Sequence, residues 1–482
     1  MTNCFGVDSG FNMNGMEPSA FARYPNLADV RAVMDEMNKA MTATPGAVPN
    51  YSGVGSAAPL FKQEIVDQLF MQVVTQDQVK FFPTVYKNSS PSKNTIVEYT
   101  KQTGIGSEFA DIFQAEGSAG QYIDSEFARA YEKMRWISEK RNVSLQASLV
   151  ADPVGNIGGV VAKAMTDANT HILNRLEHAM FYGDSSINVN SIDGLNSIIR
   201  QNNASWQTID KRNTSLLLAD VGDGQVAVYD NVYGRIPGTM WTAPGVAQTL
   251  AEEHGDRVKA FYGPGQTPPD TAGNAARTFL TQLGKVDVNY SFYLSPLRKK
   301  LAHVAATHTT APATPTLTSA VAGADAASKF AAADAADYVY KIVAVGNVDA
   351  LGASAPVASP STAVAAGEAV TLTIASTGNT NVNFYNIYRH VKGSSTWYLI
   401  GQVKCAGGST ATTFIDYNEE IPGTADAFLL QQNNEILQWR EMMPYSMIRL
   451  PAIDFYQPYA FAMFGTVICP VPAMIRFKNI AV

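Results

Sequence analysis

Charged residues and cysteines are scarce in this sequence of 482 residues. Asp, Glu, Lys and Arg together make up 16% of it, whereas soluble domains usually contain roughly 25%. Much of the surface must therefore be uncharged or covered by neighbouring subunits. The three cysteines, Cys4, Cys405 and Cys469, are widely separated and odd in number, which excludes a complete disulfide framework. We expect them to be free thiols.

Long apolar runs and a secretory leader are missing as well. Charge, Gly or Pro interrupts every apolar run well before the roughly 20 residues that a membrane-spanning helix requires. The N-terminus has neither a basic start nor an apolar stretch before a cleavage site. A net charge of −7 also disfavours a protein that grips nucleic-acid phosphates. We expect synthesis and assembly in a cytosol and no membrane partner.

The sequence has no group of residues typical of a catalytic or metal site. His171 and His178 are seven positions apart, whereas zinc-protease helices carry histidines at i and i+4. The segment DVGDG, Asp220 to Gly224, lacks the closing glutamate of a calcium-binding loop and is predicted to be a turn. The glycine clusters fit neither a phosphate-binding nor a dinucleotide-binding loop. We expect no enzymatic activity, no cofactor and no metal ion.

The first 143 residues indicate extended structure that needs a partner surface. Helical spacing of apolar residues predicts short helices at 27–41 and 61–74, and an extended segment with a Gly-rich middle predicts a long hairpin loop from 95 to 143. Basic, acidic and aromatic residues mix in its second half, which suits a seam between subunits. A merely solvated hairpin is the alternative. The candidate interface residues are Arg129, Lys133, Arg135, Trp136, Lys140 and Arg141.

The strongest local pattern predicts a long helix at 153–182. Asp152 and Pro153 supply an N-terminal cap and a first-turn proline, and Gly183 supplies the C-terminal cap. Such a helix is around 40 Å long and can brace an extended structure. Its apolar side is predicted to contain Ile157, Val161, Met165, Ile172, Leu176 and Met180.

Two different compositions follow this helix. From 184 to 310, β-rich runs such as QVAVYDNVY (225–233) alternate with helical ones such as VAQTLAEEHGDRVKAF (246–261), which indicates an α+β region. From 311 to 424 the chain is rich in Ala, Thr, Ser, Gly and Val, and strand candidates between Gly- and Ser-rich turns predict a small β-sandwich. The earlier composition then resumes, so the sandwich is an insertion. We expect its core to contain Tyr338, Tyr340, Ile342, Val370, Leu372, Ile374, Phe384, Trp397 and Phe414.

Three segments carry a resemblance to a known family. They are LNRLEHAMFYGDSSINVNSIDGLNSII (173–199), with its YGD…GL pattern, MWTAPGVAQTL (240–250) and YAFAMFGTVICPVPAMIRFKNI (459–480). Together with the order of the predicted elements, they resemble the major capsid proteins of tailed double-stranded DNA bacteriophages, which have the Hong Kong 97-like fold. The resemblance covers about three quarters of the chain, and the order of elements carries most of it.

The resemblance implies an α+β shell subunit with an inserted all-β domain of the immunoglobulin or fibronectin type. The implied regions are an N-terminal arm with short helices (1–90), an extended loop (91–143), a peripheral domain (144–204) with a spine helix (153–182), an axial domain (205–310), the immunoglobulin-like insert (311–424) and a return to the axial and peripheral domains (425–482). The implied function is self-assembly into an icosahedral head enclosing double-stranded DNA, with the insert projecting outward.

The resemblance also implies partners and a location. Copies of the chain would form hexamers and pentamers. The other implied protein partners are a portal protein, a separate scaffolding protein and a cement protein. Packaged DNA would lie nearby without specific recognition, and the insert would contact glycans weakly or act as a spacer without a ligand. The chain would be made in the bacterial host cytoplasm and end in the virion. Two alternatives are an encapsulin-type shell of a bacterial nanocompartment and a surface adhesin or glycan-binding protein.

Overall fold

Strands predominate over helices in the computed structural model, which describes residues 76–106, 113, 116–117, 124–144, 146, 159–232, 234–261, 278–301, 312–346, 352–375, 381–390, 393–407, 410–433, 435–451 and 455–482. All of these residues belong to one compact unit. The parts of the sequence-based predictions that lie outside the described residues are the helices at 27–41 and 61–74, Asp152, Pro153, Ile157 and Cys4.

The described chain mixes helices and strands, which confirms the α+β composition. The helices are α1 Phe81–Tyr86, α2 Val160–Tyr182, α3 Leu195–Asn202, α4 Leu218–Asn231, α5 Pro244–Phe261 and α6 Pro296–Lys299. The strands are β1 Ser90–Pro91, β2 Ile96–Gly104, β3 Glu126–Lys133, β4 Arg135–Ser144, β5 Thr208–Thr214, β6 Thr239–Thr242, β7 Thr278–Leu280, β8 Lys285–Tyr290, β9 Thr316–Ala324, β10 Ala336–Tyr338, β11 Tyr340–Gly346, β12 Val357–Ala358, β13 Thr362–Val364, β14 Glu368–Ala375, β15 Val382–His390, β16 Trp397–Lys404, β17 Thr412–Asp416, β18 Ala425–Leu430, β19 Gln438–Arg449, β20 Tyr456–Ile468 and β21 Met474–Ile480.

A six-stranded sheet, termed the central sheet, has the order β5–β21–β18–β6–β8–β7. Every residue of β18 and β21 is buried, as expected for strands covered on both faces. Helix α4 lies on the face that carries Leu429 and Phe477, where Gly224 permits close contact, since a side-chain carbon at Gly224 would come 2.8 Å from the Phe477 ring. Because side chains alternate along a strand, Asp426 and Arg476 point to the opposite face.

A four-stranded sheet with the order β1–β19–β20–β4 packs against the long helix α2. Ile172 of the helix contacts Phe461 of β20 in a small apolar cluster. Leu176 and Met180, one and two turns further on, belong to the main hydrophobic core that also includes the central sheet. The helix therefore connects the two sheets through its apolar side.

The bounds of α2 differ from the prediction at one end only. The helix begins at Val160 and not at 153, after Gly159, whose φ of 115° is a conformation that favours glycine. It ends at Tyr182, and Gly183 follows as the C-terminal cap, which confirms the predicted end.

The predicted hairpin is present but shorter than expected. Strands β2 and β3 pair antiparallel with each other as a separate two-stranded sheet. The hairpin ends at Lys133, because Met134 is followed by the ten residues of β4, which pairs along its whole length with β20. Residues 135–143, which were predicted to belong to the loop, are part of the four-stranded sheet instead.

The described residues between 312 and 417 form two facing sheets, β17–β14–β9 and β12–β11–β15–β16, and a small two-stranded sheet of β10 and β13. Their apolar clusters combine side chains from both sheets. The buried members of the predicted core are Tyr338, Tyr340, Ile342, Val370, Leu372 and Ile374. Phe384, Trp397 and Phe414 are only half-buried, and Tyr385, Ile387 and Ile400 are buried in the core in addition. The segment interrupts the central sheet, which takes β8 from before it and β18 from after it.

Two local predictions are wrong. QVAVYDNVY and DVGDG were predicted as a β-rich run and a turn, but both lie almost entirely in helix α4, because Val221, Gly224 and Val228 recur at helical spacing and are buried. The closing segment 459–480 divides between two sheets, since β20 belongs to the four-stranded sheet and β21 to the central sheet.

Candidate assembly surface

The hairpin of β2 and β3 has two chemically different faces. Directly opposite residues of paired strands point to the same side of the sheet, so the register assigns every side chain to a face. The outer face contains Ile96, Glu98, Thr100, Phe127, Arg129, Tyr131 and Lys133. Both residues predicted on this hairpin as interface candidates, Arg129 and Lys133, lie on it.

The outer face exposes large apolar side chains. Phe127 and Tyr131 are 65% and 63% exposed, and Ile96 at the root of the hairpin is 44% exposed. Arg129 lies 3.7 Å from Glu98, and both are exposed. Lys133 forms no salt bridge with any described residue. Aromatic and cationic side chains that project together in this way are typical of a surface that another protein covers.

The inner face of the hairpin root packs against the body of the chain. Val97 and Met134 are buried with Ile468 of β20 in one apolar cluster. Burial raises the pKa of Glu132 on this face to about 7, and the charge of Asp193 adds to the effect against the opposing charges of Arg135 and Lys101. The hairpin root is thus docked on the body, which leaves the outer face as its free side.

The other four predicted interface residues lie on β4, at the edge of the four-stranded sheet. Successive side chains of a strand alternate between its sides. Trp136 and Lys140 are therefore on one side, where both are exposed, and Arg135 and Arg141 are on the other, where both are half-buried. Trp136 contacts Phe464 at a ring-centroid distance of 5.5 Å. The six predicted residues do not form one continuous patch.

The predicted apolar side of α2 is buried most completely in its second half. Ile172, Leu176 and Met180 are 3%, 3% and 1% exposed. Val161 and Met165, near the start of the helix, are half-buried. The second half of α2 is therefore the part that belongs to the cores of the chain.

Sequence reasoning missed the role of Glu177 on the same helix. Its carboxylate is fully buried and accepts hydrogen bonds from the amides of Phe81 at 2.9 Å and Phe82 at 2.7 Å, at the start of α1. Burial raises the pKa of Glu177, and these hydrogen bonds oppose the rise. A lone glutamate next to an apolar helical stripe was the only signal of this contact in the sequence.

The YGD…GL pattern has a structural cause. The amide of Gly194 donates to the carbonyl of Gly183 at 2.9 Å, and a side-chain carbon at Gly194 would collide with the carbonyl oxygen of Ala179. Asp184 pairs with Arg200 of α3. The pattern therefore describes a tight junction between the end of α2 and the start of α3, where two backbones approach too closely for any larger residue.

A buried group of charges lies on the face of the central sheet opposite α4. Asp426 is 3.0 Å from Arg476 and 2.5 Å from Lys299, and the Tyr182 hydroxyl donates to it at 2.7 Å. Glu420 pairs with Arg476 at 2.7 Å. Burial by itself raises the pKa of Asp426, but Arg476 and Lys299 hold it well below its usual range. These bonds tie α2 and α6 to the inner strands of the sheet.

Ion pairs beside this group fasten the inserted segment to the central sheet. Arg212 of β5 lies 3.3 Å from Asp334 in the insert. After the last strand of the insert, Glu419 pairs with Lys478 of β21, whose side chain is buried. The insert is held by contacts at its base as well as by its two chain connections.

The described residues offer no metal site, since His, Cys, Asp and Glu form no group of three among them that could hold an ion. Cys405 is half-buried and Cys469 is buried, and both are free thiols. No helix within the described ranges has the length and apolar character to cross a membrane.

Comparison with known proteins connects the chain to phage capsids. No family model matches it. A putative major capsid protein of Enterococcus phage phiEF24C is 25% identical over 467 residues, which cover 93% of this chain and 95% of that protein. The major capsid protein of Staphylococcus phage K is 24% identical over 446 residues, which cover 88% and 90%.

Solved phage capsids are similar in structure at low sequence identity. The capsid of Cyanophage P-SCSP1u matches 92% of this chain and 100% of its own at 9% identity, with a TM-score of 0.43. The capsid of Cyanophage A-1(L) matches 88% and 98% at 10% identity, with a TM-score of 0.44.

The sequence similarity extends over about nine-tenths of the chain and does not stop at one domain. It confirms the relationship that the YGD…GL and closing segments indicated. Major capsid proteins are structural proteins and not enzymes. By sequence, this chain is a relative of the phage major capsid proteins, which are structural components of the virion.

Proposed function

We propose that this chain is the major capsid protein of a tailed bacteriophage and that its copies form an icosahedral head around double-stranded DNA. The near full-length similarity to phage major capsid proteins supports this function. The observation that carries self-assembly is the outer face of the hairpin, where Phe127 and Tyr131 are mostly exposed next to Arg129 and Lys133.

A second copy would stabilise the hairpin. A two-stranded hairpin is marginally stable at best in water. Among its described residues, Val97, Tyr99 and Met134 near the root pack on the body of the chain. A neighbouring copy that covers the outer face would remove two aromatic side chains from water. The mixed charges would fix the register of the contact. We propose that the hairpin binds a different surface of the next copy, so that copies join head to tail and can close into rings.

The proposed layout follows the sheets. The hairpin at 96–133 is the extended loop, the four-stranded sheet with α2 is the peripheral domain, and the central sheet is the axial domain. The two facing sheets at 312–417 support an immunoglobulin-like insert, which we propose projects outward. The N-terminal arm of this layout ends before α1, because Phe81 and Phe82 are buried in the main hydrophobic core of the chain.

The proposed partners follow from this role. Copies of the chain form hexamers and pentamers, with a portal and a separate scaffolding protein, and a cement protein on the outside. DNA lies against the inner wall without specific contacts, and the net charge of −7 suits a wall that does not bind phosphates. The insert makes weak glycan contacts. The chain is made in the host cytoplasm and ends in the virion.

Electron microscopy of the purified chain, alone and with the phage scaffolding protein, tests this function. The parent should form shells, whereas a Phe127→Ser, Tyr131→Ser variant should remain as folded subunits. Leu280→Ser is the matched control, because Leu280 is 86% exposed on an edge strand away from the hairpin. A parent that stays monomeric at every concentration would overturn the function. A serine variant that assembles normally would show that the outer face of the hairpin is not a contact between copies. Shells filled with protein cargo would indicate an encapsulin-type compartment.

A further inference from the structure

Helix α4 presents an apolar and acidic surface to solvent. Val226 and Tyr229 are 46% and 43% exposed, and Asp223 and Asp230 are exposed beside them. Residues three or four positions apart lie on one side of a helix, so Asp223, Val226 and Asp230 share a side. This side faces away from the central sheet, which the helix contacts through Gly224.

The turn at α6 presents an apolar and basic surface. Leu297 is 67% exposed, and Arg298 and Lys300 are exposed on either side of Lys299. The Arg298 guanidinium lies 3.6 Å from the centroid of the Phe292 ring, which holds it beside Leu297. Lys299 points inward to Asp426, so the turn is fixed to the body while its other side chains project.

The two surfaces lie on opposite faces of the central sheet. Helix α4 contacts the face that carries Leu429 and Phe477, whereas α6 is anchored through Asp426 to the other face. One copy therefore cannot bring its own two surfaces together. A second copy can, because the surfaces are complementary in charge and each has an exposed apolar centre.

We propose that the acidic side of α4 in one copy binds the basic turn at Leu297 of the next copy. Leu297 packs against Val226 and Tyr229, and the two cations of the turn pair with Asp223 and Asp230. The contact joins unlike surfaces, so it repeats in one direction and closes a ring of copies. This inference rests on the proposed function, since it requires copies that assemble.

Charge exchange tests the pairing. Asp223→Lys, Asp230→Lys in one variant and Arg298→Glu, Lys300→Glu in another should each lower the yield of shells at low salt by about tenfold or more, because like charges then meet. The variant with all four substitutions should restore the yield to within about twofold of the parent. Asp337→Lys and Lys404→Glu, exposed charges on the insert, are the matched controls and should assemble like the parent.

Thermal unfolding of the unassembled subunits shows whether each variant is folded. If a reversal variant does not fold, Asp223→Asn, Asp230→Asn takes its place and should weaken the salt dependence of assembly. The pairing is overturned if the variant with all four substitutions assembles as poorly as the two double variants. It is also overturned if the Asp223→Asn, Asp230→Asn variant shows the same salt dependence of assembly as the parent. If the parent and the controls still form shells in those cases, the pairing is wrong but the proposed function stands. If the parent itself forms no shells, the proposed function is wrong.

Discussion

Removal of the Glu177 carboxylate should release the start of helix α1 from helix α2. The carboxylate accepts the amides of Phe81 and Phe82 in a fully buried position. Glu177→Ala leaves both buried donors without an acceptor, at about 1–3 kcal/mol each, so the free energy of unfolding should fall by about 2–6 kcal/mol. Glu177→Gln keeps the volume and one acceptor oxygen, and should lose roughly half as much.

Two measurements on the unassembled subunit decide this prediction. Denaturant unfolding gives the loss of free energy, and amide hydrogen exchange at Phe81 and Phe82 shows whether the lost stability is located there. Glu98→Ala is the control, because Glu98 is an exposed carboxylate whose removal should change stability by no more than about 0.5 kcal/mol. An alanine variant as stable as the parent, or one with unchanged exchange at both amides, would show that Glu177 does not hold the start of α1.

Three further predictions concern the core, the hairpin root and the insert. Leu176→Ala should lower the free energy of unfolding by about 2–5 kcal/mol through a buried cavity, measured by denaturant unfolding, and should reduce the yield of shells. Burial raises the pKa of Glu132 in the folded chain to about 7 from an ordinary 4.5. Its contribution to stability is therefore complete below pH 4.5 and is lost as the pH rises through 7. Glu132→Gln should flatten this pH dependence of the free energy of unfolding. Replacement of 313–417 by a short Gly/Ser linker should leave a more stable subunit than replacement of 313–422, by about 1–3 kcal/mol in thermal or denaturant unfolding. The longer replacement removes Glu419, the nearer of the two carboxylates beside buried Lys478.

Each of these predictions has a result that contradicts it. Normal shell yield and unchanged stability for the Leu176 variant would place that side chain outside the core. An unaltered pH profile for the Glu132 variant would assign the titration to another group. Equal stability of the two replacements would mean that the ion pairs at the base of the insert contribute nothing to the central sheet.

Long regular patterns could be read from the sequence, and contacts between distant segments could not. The apolar spacing of α2 and the alternation in β11 and β14 are local signals, and the predicted burial of Leu176, Ile342 and Leu372 is confirmed. QVAVYDNVY is rich in β-branched residues, which favours a strand. Packing of Gly224 on Phe477 outweighs that preference, and this contact joins residues far apart in the chain.

The candidate surface was predictable only in part for the same reason. The charged stretch from 126 to 141 marked a surface segment, but its division at Met134 between the hairpin and β4 depends on pairing with β20. Buried ions were not foreseeable either. Arg389 is 2% exposed between the two sheets of the insert and pairs with Asp416 at 2.5 Å, while nothing near Arg389 in the sequence distinguishes it from a surface arginine.

The position of β21 in the central sheet has a consequence for the time course of folding. Its neighbours are β5 and β18, and Arg476 pairs with Thr208 across about 270 intervening residues. At the roughly 5–20 residues per second of translation, on the order of 15–50 s pass between the synthesis of β5 and that of β21. Pairings this distant in sequence also form slowly, whereas the insert, whose strands pair locally, can fold during the wait. The chain should therefore acquire its insert first and its central sheet last, and its unpaired strand edges need protection from aggregation until then.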